Sequence, residues 1–251
     1  MEIRYIKHGD IPIKHFISGN TRGAVLALHG FGGSKESLAI QKLAERLCPK
    51  GIDVAAPDWE AHGERGRDFS RLSVGGCISD LRAAERFVAE NISDNIGVFA
   101  TSFGGYITLL RMEEDSAPYR RTVLRVPAVN MANSLINAAW LSDPSASEEK
   151  ARAEGRFVLR MAESFEVPFS LYEELAARSC VRSCSAWRGA GIFTVYAEND
   201  ELVRRADTEE FLRLNDIPSK MMTGCGHRMA EPAEKLDEAL DAAAESLTGI
   251  L

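Results

Sequence analysis

Val98-Phe99-Ala100-Thr101-Ser102-Phe103-Gly104-Gly105 is the stretch on which the reading of this chain turns. A short apolar run ends abruptly at a serine with small residues, Ala100 and Gly104, two positions to either side. An apolar, helix-compatible segment, Tyr106-Ile107-Thr108-Leu109-Leu110, follows at once. The pattern predicts a strand, a sharp turn and a helix, with Ser102 at the apex. Such an elbow strains the serine backbone and demands small neighbours. The usual form is Gly-x-Ser-x-Gly; here alanine stands at the first glycine. Alone, the pentapeptide also suits a serine that merely caps a helix, so the flanking sequence must decide.

Working outward, apolar strands and helices alternate on both sides of the elbow. Residues 2–17 read as a hairpin turning at His8-Gly9-Asp10. Ala24–Leu28 is a continuous apolar run, as expected of a strand buried on both faces. Ser34 is placed to cap a helix through Leu38, Leu43 and Leu47, which Pro49 and Gly51 end. Ile52–Ala56 is a strand, an arginine-rich loop follows, and Cys77, Leu81, Ala84 and Val88 mark a helix face. After the elbow helix comes a strand from Thr122 to Val126. From about 131 to 187 the alternation breaks. Phe157, Met161 and Phe165 recur every four residues, so this insertion reads as helical. Strand (192–196), helix (206–214), strand (219–222) and helix (233–247) then complete the chain. The expected fold is α/β: a mostly parallel sheet with helices on both faces and a short helical cap insertion, all in one domain spanning 1–251.

Composition narrows the function. The 251 residues are 45% hydrophobic, enough for a large core. Lys+Arg total 30 against 37 Asp+Glu, a net charge of -7, which argues against a nucleic-acid partner. No apolar run reaches membrane-spanning length, and Met1-Glu2-Ile3-Arg4 does not begin a secretory leader. Five cysteines without a framework spacing read as free thiols of a cytoplasmic protein. Cys180-x-x-x-Cys184 lacks nearby partners for a metal, and neither a metal nor an organic cofactor is expected.

A serine hydroxyl needs a base, an orienting group for that base, and donors for the oxyanion that develops. His227, in the loop Gly224-Cys225-Gly226-His227 after the last strand, is the candidate base. Asp200, just past the strand ending at Tyr196, is the favoured orienting acid. Glu198, Glu201 and Asp207 compete with it as structural acids. His29-Gly30-Phe31-Gly32-Gly33 follows an early strand. There the N–H of Phe31, with that of Phe103, would form an oxyanion hole.

Ser, then Asp, then His, each after its own strand and with His-Gly-x-x-Gly upstream, resembles the α/β-hydrolase superfamily over nearly the whole chain outside the insertion. Pro57-Asp58-Trp59-Glu60-Ala61-His62-Gly63-Glu64-Arg65 resembles the Asp-x-x-Gly-His-Gly-x-Ser segment of the monoglyceride-lipase and serine-aminopeptidase-like branch, departing from it at Ala61 and Arg65. The resemblance implies bracing roles for His29 and His62. An insertion after Val126-Pro127 falls where that superfamily carries its cap. Its size resembles the small-cap bacterial esterases that cleave hydroxycinnamoyl and other small acyl esters. It implies a serine carboxylesterase acting on a small-molecule acyl ester, with Trp140, Phe157, Phe165, Phe169 and Tyr172 as candidate pocket residues or simply packing of the cap. The same branch contains peptidases, and the cap glutamates Glu148, Glu149, Glu154, Glu163 and Glu166 keep an amide substrate in view. A non-catalytic binding protein on the same fold is the third reading.

Overall fold

In a computed structural model of the chain, residues 1–114, 118–160 and 164–251 are described. The apolar runs become strands of an eight-stranded sheet. In chain order these are β1 (Glu2–His8), β2 (Ile11–Ile17), β3 (Gly23–Leu28), β4 (Ile52–Pro57), β5 (Ile96–Thr101) and β6 (Tyr119–Arg125). A hairpin outside that sheet supplies β7 (Arg156–Arg160) and β8 (Ser164–Pro168); β9 (Ile192–Ala197) and β10 (Ser219–Met222) complete the main sheet. The spatial order is β1-β2-β4-β3-β5-β6-β9-β10. β1 and β2 are antiparallel to their neighbours, and every pairing from β4 to β10 is parallel.

Alternate residues of the central strands supply two cores, because successive side chains leave a strand on opposite faces. Leu26, Leu28, Val98 and Ala100 pack with α2 (Val74–Asn91) and α3 (Phe103–Glu114). Val25, Ala27, Phe99 and Val123 pack with α1 (Leu38–Leu47) and α8 (Glu234–Leu247). Both faces are therefore covered, which is why the strands read as unbroken apolar runs. Ser37, not Ser34, precedes α1, and it makes no side-chain capping bond. α2 begins earlier than its apolar face indicates, with the Ser73 hydroxyl accepting the Gly76 N–H.

Between β6 and β9 lie α4 (Met131–Ser142), α5 (Glu148–Glu154), the β7–β8 hairpin and α6 (Phe169–Ala176). The helical reading of Phe157 and Phe165 is corrected here: they sit on facing antiparallel strands, with Phe157 opposite Val167 and Leu159 opposite Phe165. Met161, the third member of that pattern, lies outside the described residues. Spacing by four satisfies a two-residue period as well as a helical one. The buried set Phe157, Leu159, Phe165 and Val167 follows the strand period. α7 (Arg205–Asn215) joins β9 to β10.

Along the sheet, β3 has β4 on one side and β5 on the other. The chain leaves β3 in one direction and returns through β5 in the other. The loops after β3 and β5 therefore diverge and open a crevice at the carboxyl ends of the strands, the usual ligand position in such sheets.

Candidate active site

Ser102 occupies the turn between β5 and α3 with φ 51°, a left-handed conformation that side chains beyond glycine rarely adopt. Its N–H donates to the Arg125 carbonyl at 2.9 Å, and its carbonyl accepts the Tyr106 N–H at 3.1 Å. The small neighbours have a steric cause. A Cβ on Gly104 would lie 2.8 Å from the His29 carbonyl oxygen and 2.9 Å from that of Leu28, both backbone atoms. Ala100 is fully buried in the sheet, so its methyl group is accommodated.

His227 follows β10. Its Nε2 lies 3.1 Å from Ser102 Oγ, and its Nδ1 lies 2.8 Å from Asp200 Oδ2 and 3.0 Å from Oδ1. An ionised carboxylate only accepts, so Nδ1 carries the proton and Nε2 turns its lone pair toward the hydroxyl. Asp200 is itself held: its Oδ1 accepts the N–H groups of Leu202 at 2.9 Å and Val203 at 2.8 Å. The competing acids do other work. Glu201 accepts the His227 N–H at 2.9 Å, Glu198 accepts the Gly224 N–H at 2.9 Å, and Asp207 pairs with Arg204 at 2.8 Å. Glu198 and Glu201 thus fasten the backbone of the histidine loop, and Asp200 alone of the four meets the imidazole.

The His29–Gly33 turn stands beside Ser102. A Cβ on Gly30 would come within 3.2 Å of Ser102 Cβ. The Gly30 carbonyl accepts His29 Nδ1–H at 2.8 Å and the Gly33 N–H at 3.0 Å. Across a trans peptide the next N–H points opposite to that carbonyl, so the Phe31 N–H faces away from these bonds. The Phe103 N–H opens α3 and is among the first four, which have no acceptor within their own helix.

Beneath this turn, His29 is locked by Trp59, whose Nε1–H donates to the His29 carbonyl at 3.1 Å. Burial pushes the His29 imidazole down to about 4, so it is neutral near pH 7. His62 is likewise buried, stacks on Phe103 and is pushed down to about 3. Asp58, fully buried, accepts the Lys35 N–H at 2.7 Å and the Lys35 ammonium at 3.0 Å, tying the segment after β4 to the start of α1.

A cavity of about 550 Å³ opens at Ser102 and His227. Its apolar wall comes from Met131, Leu135 and Ala138 of α4, Leu159 of β7, and Leu38 and Leu202. Of the expected pocket residues, Trp140, Phe165, Phe169 and Tyr172 are not among those lining it. Trp140 is on α4 and 54% exposed. Phe165 stacks on Phe69 with ring centroids 4.7 Å apart, and Phe157, Phe169 and Tyr172 pack on one another. The cap aromatics could line a pocket or pack the cap; small and aliphatic residues of α4 line the cavity at the serine. Their spacing at 131, 135 and 138 on one helix was the available signal. Arg125 and Arg228 also line the cavity and were missed. Among the described residues, no group of three or more His, Cys, Asp or Glu side chains is placed to hold a metal ion, and no helix is long and apolar enough to cross a membrane.

A parallel sheet with a serine elbow after β5, facing a histidine held by a carboxylate, defines an α/β-hydrolase. Residues 19–152 match the family described as serine aminopeptidase, S33, and the chain belongs to that family. It is thus a hydrolase of the α/β fold. The fold is also similar to solved structures of low sequence identity. One is Est1E from Butyrivibrio proteoclasticus with ferulic acid bound, at 14% identity, TM-score 0.75 and 98% coverage of both chains. A second is the Pyrococcus furiosus esterase Pf2001, at 20% identity and TM-score 0.69, covering 98% of this chain and 91% of that one. A third is the mouse α/β-hydrolase domain-containing protein 10, at 11% identity and TM-score 0.76 with full coverage of both. No curated protein sequence matches the chain.

Proposed function

We propose that this hydrolase cleaves carboxylic esters of small or aromatic acyl groups through an acyl-serine intermediate. Ser102 Oγ attacks the acyl carbon while His227 Nε2 takes its proton, and Asp200 steadies the imidazolium that forms. The Phe31 and Phe103 N–H groups hold the oxyanion. The carbon–oxygen bond to the alcohol breaks, and His227 returns the proton to the departing oxygen. Water then attacks the acyl-serine, His227 again takes and returns a proton, and the carboxylic acid leaves. The segment 131–187 serves as a cap on a single catalytic domain, with α4 and β7 forming the acyl wall. Five unpaired cysteines favour work in the cytoplasm.

The observation that carries this reading is the continuous hydrogen-bonded row from Ser102 through His227 to Asp200. The family's name favours a second reading, an aminopeptidase. That activity needs an anion to hold the substrate's α-ammonium group, and no Asp or Glu is among the residues lining the cavity at Ser102. Of the cap glutamates, Glu148 bonds Tyr172 and Arg152, Glu166 pairs with Arg156, Glu149 and Glu154 are exposed, and Glu163 lies outside the described residues. A fluorophosphonate probe should label Ser102 in folded protein and leave Ser102→Ala unlabelled. The protein should hydrolyse p-nitrophenyl acyl esters faster than aminoacyl anilides. Absence of labelling removes the proposal, and a preference for anilides transfers it to the peptidase.

A further inference from the structure

The cavity at Ser102 is largely apolar, but its charged lining is wholly cationic. Its lining contains two arginines and no carboxylate, in a chain whose net charge is -7. Arg125 ends β6, beside Thr101, and is only 6% exposed. One guanidinium nitrogen, Nη2, donates to the carbonyl of Arg228, while Nε is buried with no hydrogen-bond partner. Arg228 directly follows His227 and lies at the exposed edge of the same cavity. Among the described residues, neither arginine has a carboxylate within ion-pair distance.

A buried guanidinium without an anionic partner is costly, because its lost hydration is not replaced. Burial lowers the Arg125 guanidinium to about 10, which leaves it charged at neutral pH. Asp200 is a charged neighbour that partly supports it. The carboxylate oxygens of Asp200, however, already accept from His227, Leu202 and Val203. Arg125 thus lines a cavity that offers it no acceptor of matching charge.

We propose that the substrate supplies that acceptor: an ester whose alcohol portion carries a carboxylate, bound by Arg125 and Arg228. This deepens the serine-esterase reading and rests on it. The alcohol side is indicated by position. The Arg125 guanidinium is anchored on the carbonyl of the residue after His227, and His227 returns its proton to the departing alcohol oxygen. The leaving group therefore lies on the arginine side, and the apolar wall of α4 and Leu159 is left for the acyl chain. Arginine presents paired donors that match a carboxylate, which gives orientation as well as attraction.

The test compares 4-carboxyphenyl butyrate with its neutral counterpart, 4-carbamoylphenyl butyrate. Each kcat/KM is divided by the hydroxide-catalysed rate of that ester, which removes the difference in leaving-group acidity. The protein should favour the carboxylate ester by about tenfold, mainly through KM, as one charge-assisted contact supplies. Arg228→Gln should cut that preference by roughly fivefold and Arg125→Met should abolish it, while Arg125→Lys should keep part of it. The exposed position of Arg228 keeps the test open if Arg125→Met fails to fold. Variants in which both esters slow in step, the ratio unchanged, would make the arginines mere supports of the His227 loop and overturn the proposal. So would an unmutated protein indifferent to the carboxylate; Ser102-dependent turnover of the neutral ester would then leave the esterase reading standing. Turnover of neither ester ends the proposal, and absence of a fluorophosphonate adduct ends the reading beneath it.

Discussion

At the residue scale, the site depends on atoms that have no room to move. Gly104 lies against two carbonyl oxygens of the loop after β3. Gly104→Ala should therefore destabilise the protein by about 2–3 kcal/mol, because backbone must shift on both sides of the contact. Urea unfolding reads this directly, and an unchanged midpoint would contradict the packing described. Asp200 has a different role, since it selects which imidazole nitrogen carries the proton. Asp200→Asn should lower kcat by about 10³–10⁴ with little change in KM, because the amide can donate to Nδ1 and so favours the wrong tautomer. An equal loss in kcat and in fluorophosphonate labelling rate would place the defect at the attack step. Small residues around a serine and an acid just past a buried strand could be read in the sequence, with Glu198, Glu201 and Asp207 left as competitors for that acid. Arg125 could not, because its role arises from a cavity formed by residues far away in the chain.

At the scale of elements, the β7–β8 hairpin is where pattern reading gave the wrong structure. Residues four apart share a face in both a helix and a strand, and Phe157 with Phe165 fitted either. Pairing across the hairpin, which periodicity does not encode, decided between them. The consequence is functional, because Phe165 stacks on Phe69 and approaches Phe31, the residue of the proposed oxyanion turn, at 6.1 Å. Phe165→Ala should cost about 3 kcal/mol of stability by leaving a cavity in this aromatic cluster. It should also raise KM for esters through the loosened turn. Trp140→Ala, at an exposed site on α4, should leave KM within about twofold of its starting value, since scattered surface residues contribute little. Leu135→Trp on the same helix fills the acyl wall and should shift preference toward shorter acyl chains in an ester panel. If Trp140→Ala proved the more damaging of the two α4 substitutions, the orientation of α4 would be wrong.

Over the whole molecule, two layers of helices close the sheet and seal a pair of neutral histidines beneath the site. His29 and His62 are held by burial at about 4 and about 3. In the unfolded chain each would titrate at about 6.5. Between these values the unfolded state binds more protons, so stability falls as pH drops from 6.5 toward 4. The slope should approach about 1.4 kcal/mol per pH unit for each histidine, and His62→Phe should remove roughly half of it. Urea unfolding at pH 7 and pH 4.5 measures the effect; a flat response would mean that these imidazoles are hydrated. Asp53 is also shifted down, but by hydrogen bonds, with the same outcome in more acid solution. Burial raises its carboxyl, but bonds from His15, Ser18 and Thr21 outweigh that and hold it at about 2. Its contribution is therefore kept above pH 4 and lost as pH falls toward 2.

The sequence by itself determined the alternation of strand and helix, the serine elbow, and the order of serine, acid and histidine along the chain. These are local properties, set by apolar periodicity, by small residues where backbone must approach backbone, and by the loop that ends each strand. Only the tertiary structure decided that Asp200 rather than Glu201 meets the imidazole. It also decided that β7 and β8 pair antiparallel, and that α4 and two arginines line the cavity at Ser102. Each of these depends on distances between segments far apart in the chain, and such distances come from packing that no local pattern records.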